Sequence, residues 1–480
     1  MGAKLKVAGW VMVGAVAGAL VSMQFQAIAR SPVSQLPLEE LQQLASVFSM
    51  VKSDYVEPVD EKKLITDAIG GMVAGLDPHS QYFDKKTFKE FREGTTGRFV
   101  GVGIEMSMED GLVKVVSPIE GSPAFRAGLK SGDLITRIDD VPVKGMTVDQ
   151  AVKKMRGEPN TKVMLTVFRN IESRSFPVTI VREEIRQQSV RSKIVEPGYA
   201  WIRVSQFQDR TVEDFARKLE DAYKQDPNLK GIVLDLRNDP GGLLEASVAV
   251  SAAFLPRDAV VVSTDGQIAE SKSVFKAAPE YYMRRGGSDA LRRLPEAVKS
   301  VPLVVLVNEG SASASEIVAG ALQDHKRAII MGAQTFGKGS VQTVRQLSPE
   351  TALKITTARY YTPSGKSIQA KGIVPDVMLD ETAEGNLFAA LRPREADLEK
   401  HPESGQGAET KDPARVKARD EARKRLEEEA LKRTNEPPKP LPEFGSTEDF
   451  QLTQAINRLK GKPVLVSKTA VERKPETETN

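Results

Sequence analysis

Apolar residues at helical spacing occupy the part of the chain that follows residue 37. Residues 38–51 and 60–76 each carry an apolar stripe with a period near that of an α-helix. The stripes consist of Leu41, Leu44, Ala45 and Phe48 in the first segment and Leu64, Ala68, Ile69 and Met72 in the second. Two short helices bury little surface by themselves. We therefore expect both to dock on the body of the protein or on another subunit.

The stretch from Gly97 to Val181 changes to short apolar runs separated by glycine-containing turns. Residues 147–156 form the one clear helical pattern within it. The apolar face of this pattern consists of Val148, Ala151, Val152 and Met155. The stretch therefore predicts an independent small domain built from strands and one helix.

Apolar runs alternate with helical patterns between about Tyr199 and Leu379. The predicted strands and helices are, in order, Gly231–Leu236, Leu243–Phe254, Ala259–Val262, Leu303–Val307, Ser315–Gln323 and Ala328–Met331. Strands that alternate with helices are typical of a parallel sheet covered by helices. We therefore predict a largely parallel α/β core.

Charged residues dominate the chain from Glu395 to Arg433, and a proline-rich run follows at residues 437–440. This composition favours a solvated helix or a disordered linker. The last apolar stripe consists of Leu452, Ala455, Ile456 and Leu459. It predicts a terminal helix that buries one face against another part of the protein.

The N-terminus has the residue order of an export signal. Lys4 and Lys6 precede an apolar run at residues 7–23, and small residues follow at 27–29. We expect cleavage after Ala29. The apolar run is near the lower limit for spanning a bilayer, and an uncleaved membrane anchor is the alternative.

Composition narrows the classes of function. A chain of 480 residues is expected to form two or more domains. Its 68 basic and 65 acidic side chains leave a net charge of +3, which gives no electrostatic signature of nucleic-acid binding. Cysteine is absent, which excludes disulfides, thiolate catalysis and cysteine-ligated metal.

The three histidines do not indicate a metal site. His79 lacks a second ligand at suitable spacing, and we expect it to form hydrogen bonds within a turn. We expect His325 to end the helix that begins at Ser315. Neither His79 nor His401 lies in an obvious catalytic context.

A glycine- and serine-rich turn connects the strand predicted at residues 303–307 to an apolar helix. A serine at such an elbow is exposed, and the N–H groups at the start of the helix can stabilise an oxyanion. Ser313 is the candidate nucleophile. Alternatively, Ser313 and Glu316 form a capping box, and Ser311 and Ser315 are also helix caps. The local sequence leaves both interpretations open.

A nucleophilic serine needs a general base, and lysine is the candidate that remains. Lys338 has glycines on both sides and Phe336 nearby, which can desolvate its amine and lower its pKa. A Ser/Lys dyad is chemically complete without histidine or metal. Gln342 shares a face with Lys338 in either a strand or a helix, so its amide can orient the amine. A phosphate-binding loop is disfavoured, because the required spacing of glycine and lysine is absent.

Three separated motifs carry a resemblance to a known family. They are residues 235–242, 310–317 and 335–342. In these motifs the chain resembles the carboxy-terminal processing, or tail-specific, proteases of the Ser/Lys type. The resemblance spans about residues 38–380 and recurs near residues 449–461.

Site residues follow from this resemblance by position. It implies that Ser313 is the nucleophile, that Lys338 is the base and that Gln342 positions the base. It further implies that the N–H groups of Gly242 and Ala314 form the oxyanion hole. No cofactor and no metal are implied.

Residues 97–181 resemble the PDZ domain of the same family. The loop and strand that would receive a peptide carboxylate on backbone N–H groups consist of Val100, Gly101, Val102, Gly103 and Ile104. Residues 121–129 and 131–135 strengthen this match. Arg156 ends the PDZ helix and could face the carboxylate or the protease body. We favour a third interpretation, in which it interacts with the C-terminal dipole of the helix.

The resemblance implies a multidomain α/β protein, with a crotonase-like protease core, an inserted PDZ domain and helical N- and C-terminal elements. The predicted regions are an export signal or anchor at 1–29, a helical packing and oligomerisation region at 30–96, a PDZ domain at 97–181, the protease core at 182–385, a charged linker at 386–445, and a C-terminal helix and tail at 446–480.

The sequence thus predicts an exported serine endopeptidase that is periplasmic, or anchored to the inner membrane if its signal remains. Its expected partners are proteins or peptides bound by their C-termini, further copies of itself and a substrate-delivering adaptor, but not nucleic acid. One alternative is an inactive PDZ scaffold. Another is an acyl-transferring or hydrolytic enzyme of the crotonase-like fold, although a coenzyme site is not evident.

Overall fold

The computed structural model describes residues 37–119, 121–283, 286–383, 391–406, 420, 424 and 442–465. The predicted export signal lies outside the described residues, as do most of the predicted charged linker and the end of the chain. In the part of the chain that the structure describes, no helix is both long and apolar enough to cross a membrane. The chain divides into two compact units, Met1–Gly71 and Met72–Asn480.

Helices and strands are distributed along all of the longer described segments. The helices are α1 (Leu38–Asp54), α2 (Glu61–Ala74), α3 (Lys85–Thr96), α4 (Pro123–Arg126), α5 (Val148–Met155), α6 (Thr211–Gln225), α7 (Leu244–Phe254), α8 (Ala314–Asp324) and α9 (Phe450–Leu459). The strands are β1 (Gln81–Phe83), β2 (Arg98–Gly101), β3 (Ile104–Glu109), β4 (Leu112–Pro118), β5 (Leu134–Ile138), β6 (Val141–Pro142), β7 (Lys162–Arg169), β8 (Arg174–Val181), β9 (Glu183–Arg186), β10 (Val190–Glu196), β11 (Tyr199–Val204), β12 (Gly231–Asp235), β13 (Val260–Gly266), β14 (Ser273–Lys276), β15 (Leu303–Val307), β16 (Ile329–Gly332), β17 (Ser340–Gln346), β18 (Ala352–Tyr361) and β19 (Val377–Met378).

In the first compact unit, α1 is followed by the first part of α2. An ion pair between Lys52 and Glu61, 2.7 Å long, joins the two helices. No residue of α1 is buried. Its exposed large apolar side chains are Leu38, Leu41, Leu44, Val47 and Met50. Of the apolar stripe predicted from the sequence, Leu41, Leu44 and Ala45 are therefore exposed and Phe48 is partly exposed.

The small domain is an antiparallel sheet with the order β3-β4-β5-β7-β8, and β6 pairs with β5. Ala151 and Met155 of α5 are buried in its core, together with side chains from most of the strands. β2, which precedes this sheet in the chain, pairs with β9, which follows the sheet. The chain therefore enters and leaves the domain at one place, as expected for an insertion.

The central sheet of the protein has the order β10-β11-β12-β15-β16-β19, and it is parallel from β11 to β19. Alternate residues of β11 face opposite sides, as the pleat requires. Ala200 and Ile202 belong to the core cluster that includes α6, α7 and α8. Trp201 belongs to the cluster that includes α9. The prediction of a parallel sheet covered by helices is confirmed for these strands.

A second sheet is antiparallel, with the order β1-β18-β13-β14, and β17 also pairs with β18. The strand predicted at residues 259–262 corresponds to β13 and belongs to this sheet, so its assignment to the parallel core was wrong. Periodicity identifies a short strand but not the sheet that it joins. β17 directly follows residues 333–339, so this sheet holds one side of the candidate site.

Residues 391–406, which we call the strap, fall in the segment predicted to be a charged linker, and for them that prediction is wrong. Arg394 is 7 % exposed, and Glu395 is fully buried. The Arg394 side chain donates a hydrogen bond to the carbonyl oxygen of Thr335, over 3.2 Å. A charge-rich composition does not reveal that some of the charged side chains have buried polar partners elsewhere in the chain.

Candidate active site

Ser313 lies at the elbow between β15 and α8. Its backbone has φ 54° and ψ −110°, a conformation that a residue with a side chain seldom adopts. Backbone hydrogen bonds hold the elbow on both sides. The N–H of Ala312 donates to the carbonyl oxygen of Asp239 (2.9 Å), and the N–H of Phe336 donates to that of Ser311 (3.0 Å). This strained elbow is the geometry that presents a nucleophilic serine.

The environments of three neighbouring serines distinguish their roles. Ser311 and Ser315 are fully buried, whereas Ser313 is partly exposed. The Ser311 hydroxyl donates to the carbonyl oxygen of Leu236 (2.8 Å), and the Ser315 hydroxyl donates to that of Asp239 (2.9 Å). Ser311 and Ser315 therefore fasten the elbow to the loop after β12. Ser313 is the serine of the three that a substrate can reach.

The loop after β12 passes beside the elbow at Gly241 and Gly242. A Cβ on Gly241 would lie 2.8 Å from the backbone nitrogen of Ala314, so this approach requires glycine. Phe207 donates its N–H to the carbonyl oxygen of Gly241 and accepts the N–H of Leu243. This pairing turns the N–H of Gly242 away from Phe207. Among the described residues, the N–H groups of Gly242 and Ala314 have no acceptor, as an oxyanion hole requires.

The start of the same loop is anchored by Arg237, which is 1 % exposed. Its guanidinium donates to both carboxylate oxygens of Asp235 and of Asp449, over 2.6–2.9 Å. The Phe444 ring lies 4.1 Å from the guanidinium. Breaking a buried ion pair of this kind is strongly destabilising. The segment that leads into α9 thus helps to fix the loop that carries Gly242.

Glu316, in the first turn of α8, is fully buried and connects the elbow to the lysine-bearing loop. Its carboxylate accepts hydrogen bonds from the N–H of Ser313 (2.8 Å), Gly337 (2.7 Å) and Lys338 (2.9 Å) and from the Thr335 hydroxyl (2.5 Å). Burial raises the pKa of Glu316 to about 7, and these donors oppose that rise. The bond to Ser313 is the capping interaction that the sequence offered as an alternative to catalysis. In the structure this same bond also serves to place the elbow.

The Lys338 amine lies in an environment that disfavours its charge. Burial lowers the pKa of Lys338 from its ordinary value, and the nearby ammonium of Lys354 lowers it further. Carboxylates of Glu395, Glu316 and Asp77 oppose these effects. A lysine whose pKa is lowered is neutral nearer to physiological pH and can then accept a proton. This is the electrostatic setting that a lysine base requires.

Gln342 lies in β17, four residues after Lys338. Its amide nitrogen donates to the hydroxyls of Ser340 (2.9 Å) and Thr356 (3.4 Å). Within the described segments, no hydrogen bond joins the side chain of Lys338 to that of Gln342 or of Ser313. Lys338 precedes the strand and a bulge interrupts β17 just before Gln342, so the expected alternation does not apply. Hydrogen bonds of catalytic groups often tighten only when substrate is bound.

The predicted carboxylate-binding residues, Val100–Ile104, run from the end of β2 to the start of β3. β3 is the edge strand of its sheet, so a peptide can add beside it. Gly103 has φ 80°, and a Cβ there would lie 2.3 Å from that of Ser122. The Ser122 hydroxyl donates to the carbonyl oxygen of Gly103 (2.9 Å). Within the described small domain, the N–H groups of Val102 and Gly103 have no acceptor and remain available for a carboxylate.

Arg156 directs its side chain out of the small domain. The guanidinium donates to the Glu93 carboxylate over 3.0 Å and lies 4.8 Å from the centre of the Phe99 ring. Glu93 belongs to α3, which precedes the domain. The structure therefore shows Arg156 in contact with the helix that precedes the domain, rather than in the helix-dipole role that the sequence analysis preferred.

The side chains of His79 and His325 both contact other protein groups. The backbone N–H of His79 donates to Asp77 within the predicted turn (2.8 Å), but its ring nitrogen Nε2 lies 2.8 Å from both carboxylate oxygens of Glu395. His325 directly follows α8, as predicted, and its ring contacts the carbonyl oxygen of Val260. Over the described ranges, no group of three or more His, Asp or Glu side chains could hold a metal.

Two buried carboxylates near Lys338 were not recognised as site residues from the sequence. Glu316 appeared there only as a helix-capping residue, although its position three residues after the candidate nucleophile was a usable signal. Glu395 appeared as one charge among many in a predicted linker. No local pattern marks it, because its partners are distant in sequence.

Models of three protein families match the chain. Residues 198–379 match peptidase family S41, residues 114–169 match a PDZ domain, and residues 11–87 match the N-terminal domain of the activating protease CtpB. The first match covers most of the parallel core together with Ser313 and Lys338. The second lies within the antiparallel domain.

Relatives extend the match over most of the chain. A carboxy-terminal-processing protease of Bartonella bacilliformis is 42% identical over 371 residues, which are 76% of this chain and 82% of that protein. A probable CtpA-like serine protease of Staphylococcus aureus is 39% identical over 352 residues, 73% of this chain and 67% of that protein. A solved photosystem II D1 C-terminal processing protease is 30% identical and covers 74% of this chain and 90% of its own, with a TM-score of 0.41.

Proposed function

The chain belongs to peptidase family S41 and is a serine protease, and we propose that Ser313 is its nucleophile and Lys338 its general base. The observation that carries this proposal is the connection through Glu316. One buried carboxylate accepts hydrogen bonds from the backbone N–H groups of both residues. The elbow of Ser313 and the loop of Lys338 are therefore held at a fixed distance from each other. Ser313 is also strained and reachable, and Lys338 has a lowered pKa.

The proposed reaction begins with attack of Ser313 Oγ on the scissile carbonyl carbon. The hydroxyl proton passes to the neutral amine of Lys338, and the carbonyl electron pair becomes an oxyanion held by the N–H groups of Gly242 and Ala314. As the peptide C–N bond breaks, Lys338 returns the proton to the leaving amine. Water then attacks the acyl-enzyme with Lys338 as base, which frees the new carboxyl terminus and restores Ser313.

Gln342 is proposed to position the Lys338 amine when substrate is bound. The Gln342 amide is held by hydrogen bonds to the hydroxyls of Ser340 and Thr356. Gln342 follows the proposed base by four residues. We also propose that the core is crotonase-like, which is consistent with its parallel sheet and covering helices.

The proposed substrates are proteins with accessible C-terminal tails. The edge position of β3 and the free N–H groups of Val102 and Gly103 support capture of a terminal carboxylate. The Bartonella relative is named a carboxy-terminal-processing protease. The N-terminal residue order supports action on envelope or periplasmic proteins, by a periplasmic enzyme or one anchored to the inner membrane.

Self-association is proposed to involve α1. This helix exposes a row of large apolar side chains, and an uncovered apolar stripe on a helix is typical of an interaction surface. We also propose that a separate adaptor protein delivers substrates to the protease. Analytical ultracentrifugation of the wild type and of a Leu41→Lys variant would test self-association, which predicts a smaller species for the variant.

Active-site labelling tests the proposed chemistry. A fluorophosphonate should modify Ser313, identified by peptide mapping, and the label should be absent in Ser313→Ala. Cleavage of an unfolded protein with a free C-terminus should continue in the presence of a chelator. Labelling of a different serine, or loss of cleavage with a chelator and recovery with zinc, would contradict the proposal.

A further inference from the structure

The strap lies beyond residues 198–379, which match the peptidase family, yet it packs on the loop that carries Lys338. The backbone N–H of Glu395 donates to the carbonyl oxygen of Phe336 over 3.0 Å. The side chain of Arg394 donates to the carbonyl oxygen of Thr335 over 3.2 Å. Two successive carbonyl groups of the lysine loop are therefore held by the strap.

The Glu395 side chain reaches the same loop from a second direction. Its carboxylate accepts a hydrogen bond from the amide of Gln369 (2.8 Å). The amide oxygen of Gln369 in turn accepts the N–H of Gly339 (2.9 Å). Glu395 and Gln369 are both fully buried, so solvent does not compete for these bonds. Lys338 thus lies between Gly337, bound by Glu316, and Gly339, bound by Gln369.

His79 holds the other side of the Glu395 carboxylate. Its Nε2 lies 2.8 Å from both oxygens, and its side chain is 13% exposed. His79 comes from the turn before β1, more than 300 positions earlier in the chain. The carboxylate of Glu395 is therefore fixed between the side chains of His79 and Gln369, and neither residue belongs to the strap.

The charged groups around the Lys338 amine come from several elements. Lys354 of β18 opposes its protonation, while Glu395 of the strap, Glu316 of α8 and Asp77 of the turn before β1 favour it. Asp77 and Glu316 each accept two or more backbone N–H groups together with one hydroxyl. The Glu395 carboxylate is instead held by side chains, those of His79 and Gln369.

We propose that Glu395, held by His79 and Gln369, is a positioning residue for Lys338: it fixes residues 335–339 and sets the pH at which the amine becomes neutral. This inference rests on the proposed role of Lys338 as base. It makes the strap part of the catalytic apparatus, although the strap follows the matched peptidase region and has the composition of a linker.

The direction of the expected effect follows from charge. A buried carboxylate near an ammonium stabilises it, so neutralising Glu395 lowers the pKa of Lys338 further. A lysine base is active when neutral, and the rising limb of the pH–rate profile therefore moves to lower pH. Loss of position has a separate effect, which is a lower rate at every pH.

The test measures the rate of Ser313 acylation by a fluorophosphonate from pH 5 to 10, together with kcat on an unfolded protein substrate. Glu395→Gln should move the midpoint of the rising limb down by about 0.5–1 pH unit and lower the plateau about tenfold. Glu395→Asp keeps the charge but shortens the side chain, so it should lower the plateau while its midpoint stays near that of the wild type. The matched control is Glu399→Gln, since Glu399 is an exposed carboxylate of the same strap and should change neither quantity.

Three results would overturn the inference. They are a wild-type midpoint in Glu395→Gln, a midpoint in Glu395→Asp that moves as far as in Glu395→Gln, and an equal shift in the Glu399→Gln control. If Glu395→Gln does not fold, the plateau of Glu395→Asp decides the question, and a plateau equal to that of the wild type would overturn the inference. Lys338→Ala separates this inference from the function on which it rests. Acylation that survives in Lys338→Ala refutes the base assignment, whereas its loss with unmoved Glu395 profiles refutes only the role of Glu395.

Discussion

The catalytic loops and the PDZ domain are joined to the rest of the protein in different ways. The loops of Ser313 and Lys338 are held by fully buried side chains, among them Glu316 and Glu395. The PDZ domain has its own apolar core. Side-chain ion pairs across its boundary include Arg156–Glu93 and Arg191–Glu105, and their members are 21–52% exposed.

The two kinds of attachment differ in strength. Exposed ion pairs contribute about 0–1 kcal/mol each, whereas breaking a buried charged contact costs about 3–5 kcal/mol. The catalytic loops should therefore keep their arrangement while the PDZ domain can change its orientation at small cost. Chemistry and substrate recognition are then separable properties, and each variant should affect one more than the other.

The largest expected loss of activity comes from Ser313, compared with the neighbouring elbow residues Ser311 and Ser315. Ser313→Ala should reduce kcat/KM on the order of 10⁴-fold or more, because the nucleophile is lost. Ser311→Ala and Ser315→Ala remove buried hydroxyls that bond to backbone carbonyls. They should lower the free energy of unfolding by about 1–3 kcal/mol while the chemistry remains. If Ser311→Ala or Ser315→Ala abolishes labelling and Ser313→Ala does not, the nucleophile is wrongly assigned.

Glu316→Gln should have the next largest effect. The carboxylate of Glu316 accepts hydrogen bonds from the N–H groups of Ser313 and Lys338, whereas an amide would turn an NH₂ group toward one of these donors. The distance between the backbones of Ser313 and Lys338 would therefore change. We expect kcat to fall about a hundredfold, with little change in the binding of a C-terminal peptide by the PDZ domain. The control is Glu350→Gln, an exposed carboxylate after β17. A Glu316→Gln enzyme with wild-type kcat would show that this connection does not place the dyad.

Sequence patterns foresaw the parts of the site that depend on local structure. The strand–turn–helix elbow of Ser313 and the separate small domain of strands and one helix both follow from neighbouring residues. The position of Gly242 beside Ala314 came only from family resemblance, and the structure supplies its reason in the close approach at Gly241.

Contacts between distant segments were not predictable in the same way. The strap was assigned to a linker because its charges were counted without their partners, Thr335 and His79 among them. Gln342 was expected beside Lys338 because a spacing of four places both on one face of either a strand or a helix. The loop before β17 and the bulge within it break that regular spacing. Arg156 was assigned to its own helix, since its partner Glu93 lies 63 residues earlier in the chain.

A change at the substrate terminus tests recognition without altering the catalytic loops. Replacing the C-terminal carboxylate of a tailed substrate by an amide should raise KM about tenfold and leave kcat nearly unchanged, because the N–H groups at Val102 and Gly103 lose a charged acceptor. A short peptide that does not reach the PDZ domain should show no difference. Equal KM values for the free acid and the amide would show that the terminal carboxylate does not contribute to substrate recognition.

The smallest effect is expected at the boundary between the two regions. Arg156→Ala removes a half-exposed ion pair with Glu93 and a ring contact with Phe99, so kcat/KM on tailed substrates should fall no more than about threefold. Arg137→Ala, which changes an exposed arginine within the domain, is the matched control. A loss in Arg156→Ala as large as that in Glu316→Gln would show that the domain boundary governs the catalytic geometry.

The dyad itself is tested most directly by kcat/KM for Ser313→Ala, Lys338→Ala and the double variant on one unfolded protein substrate. Two residues that act as a unit lose nearly all of their effect when either is removed. We therefore expect the three variants to be equally inactive, with the double variant no worse than either single one. Losses that multiply in the double variant, or substantial activity in Lys338→Ala, would contradict the assignment of Ser313 and Lys338 as nucleophile and base.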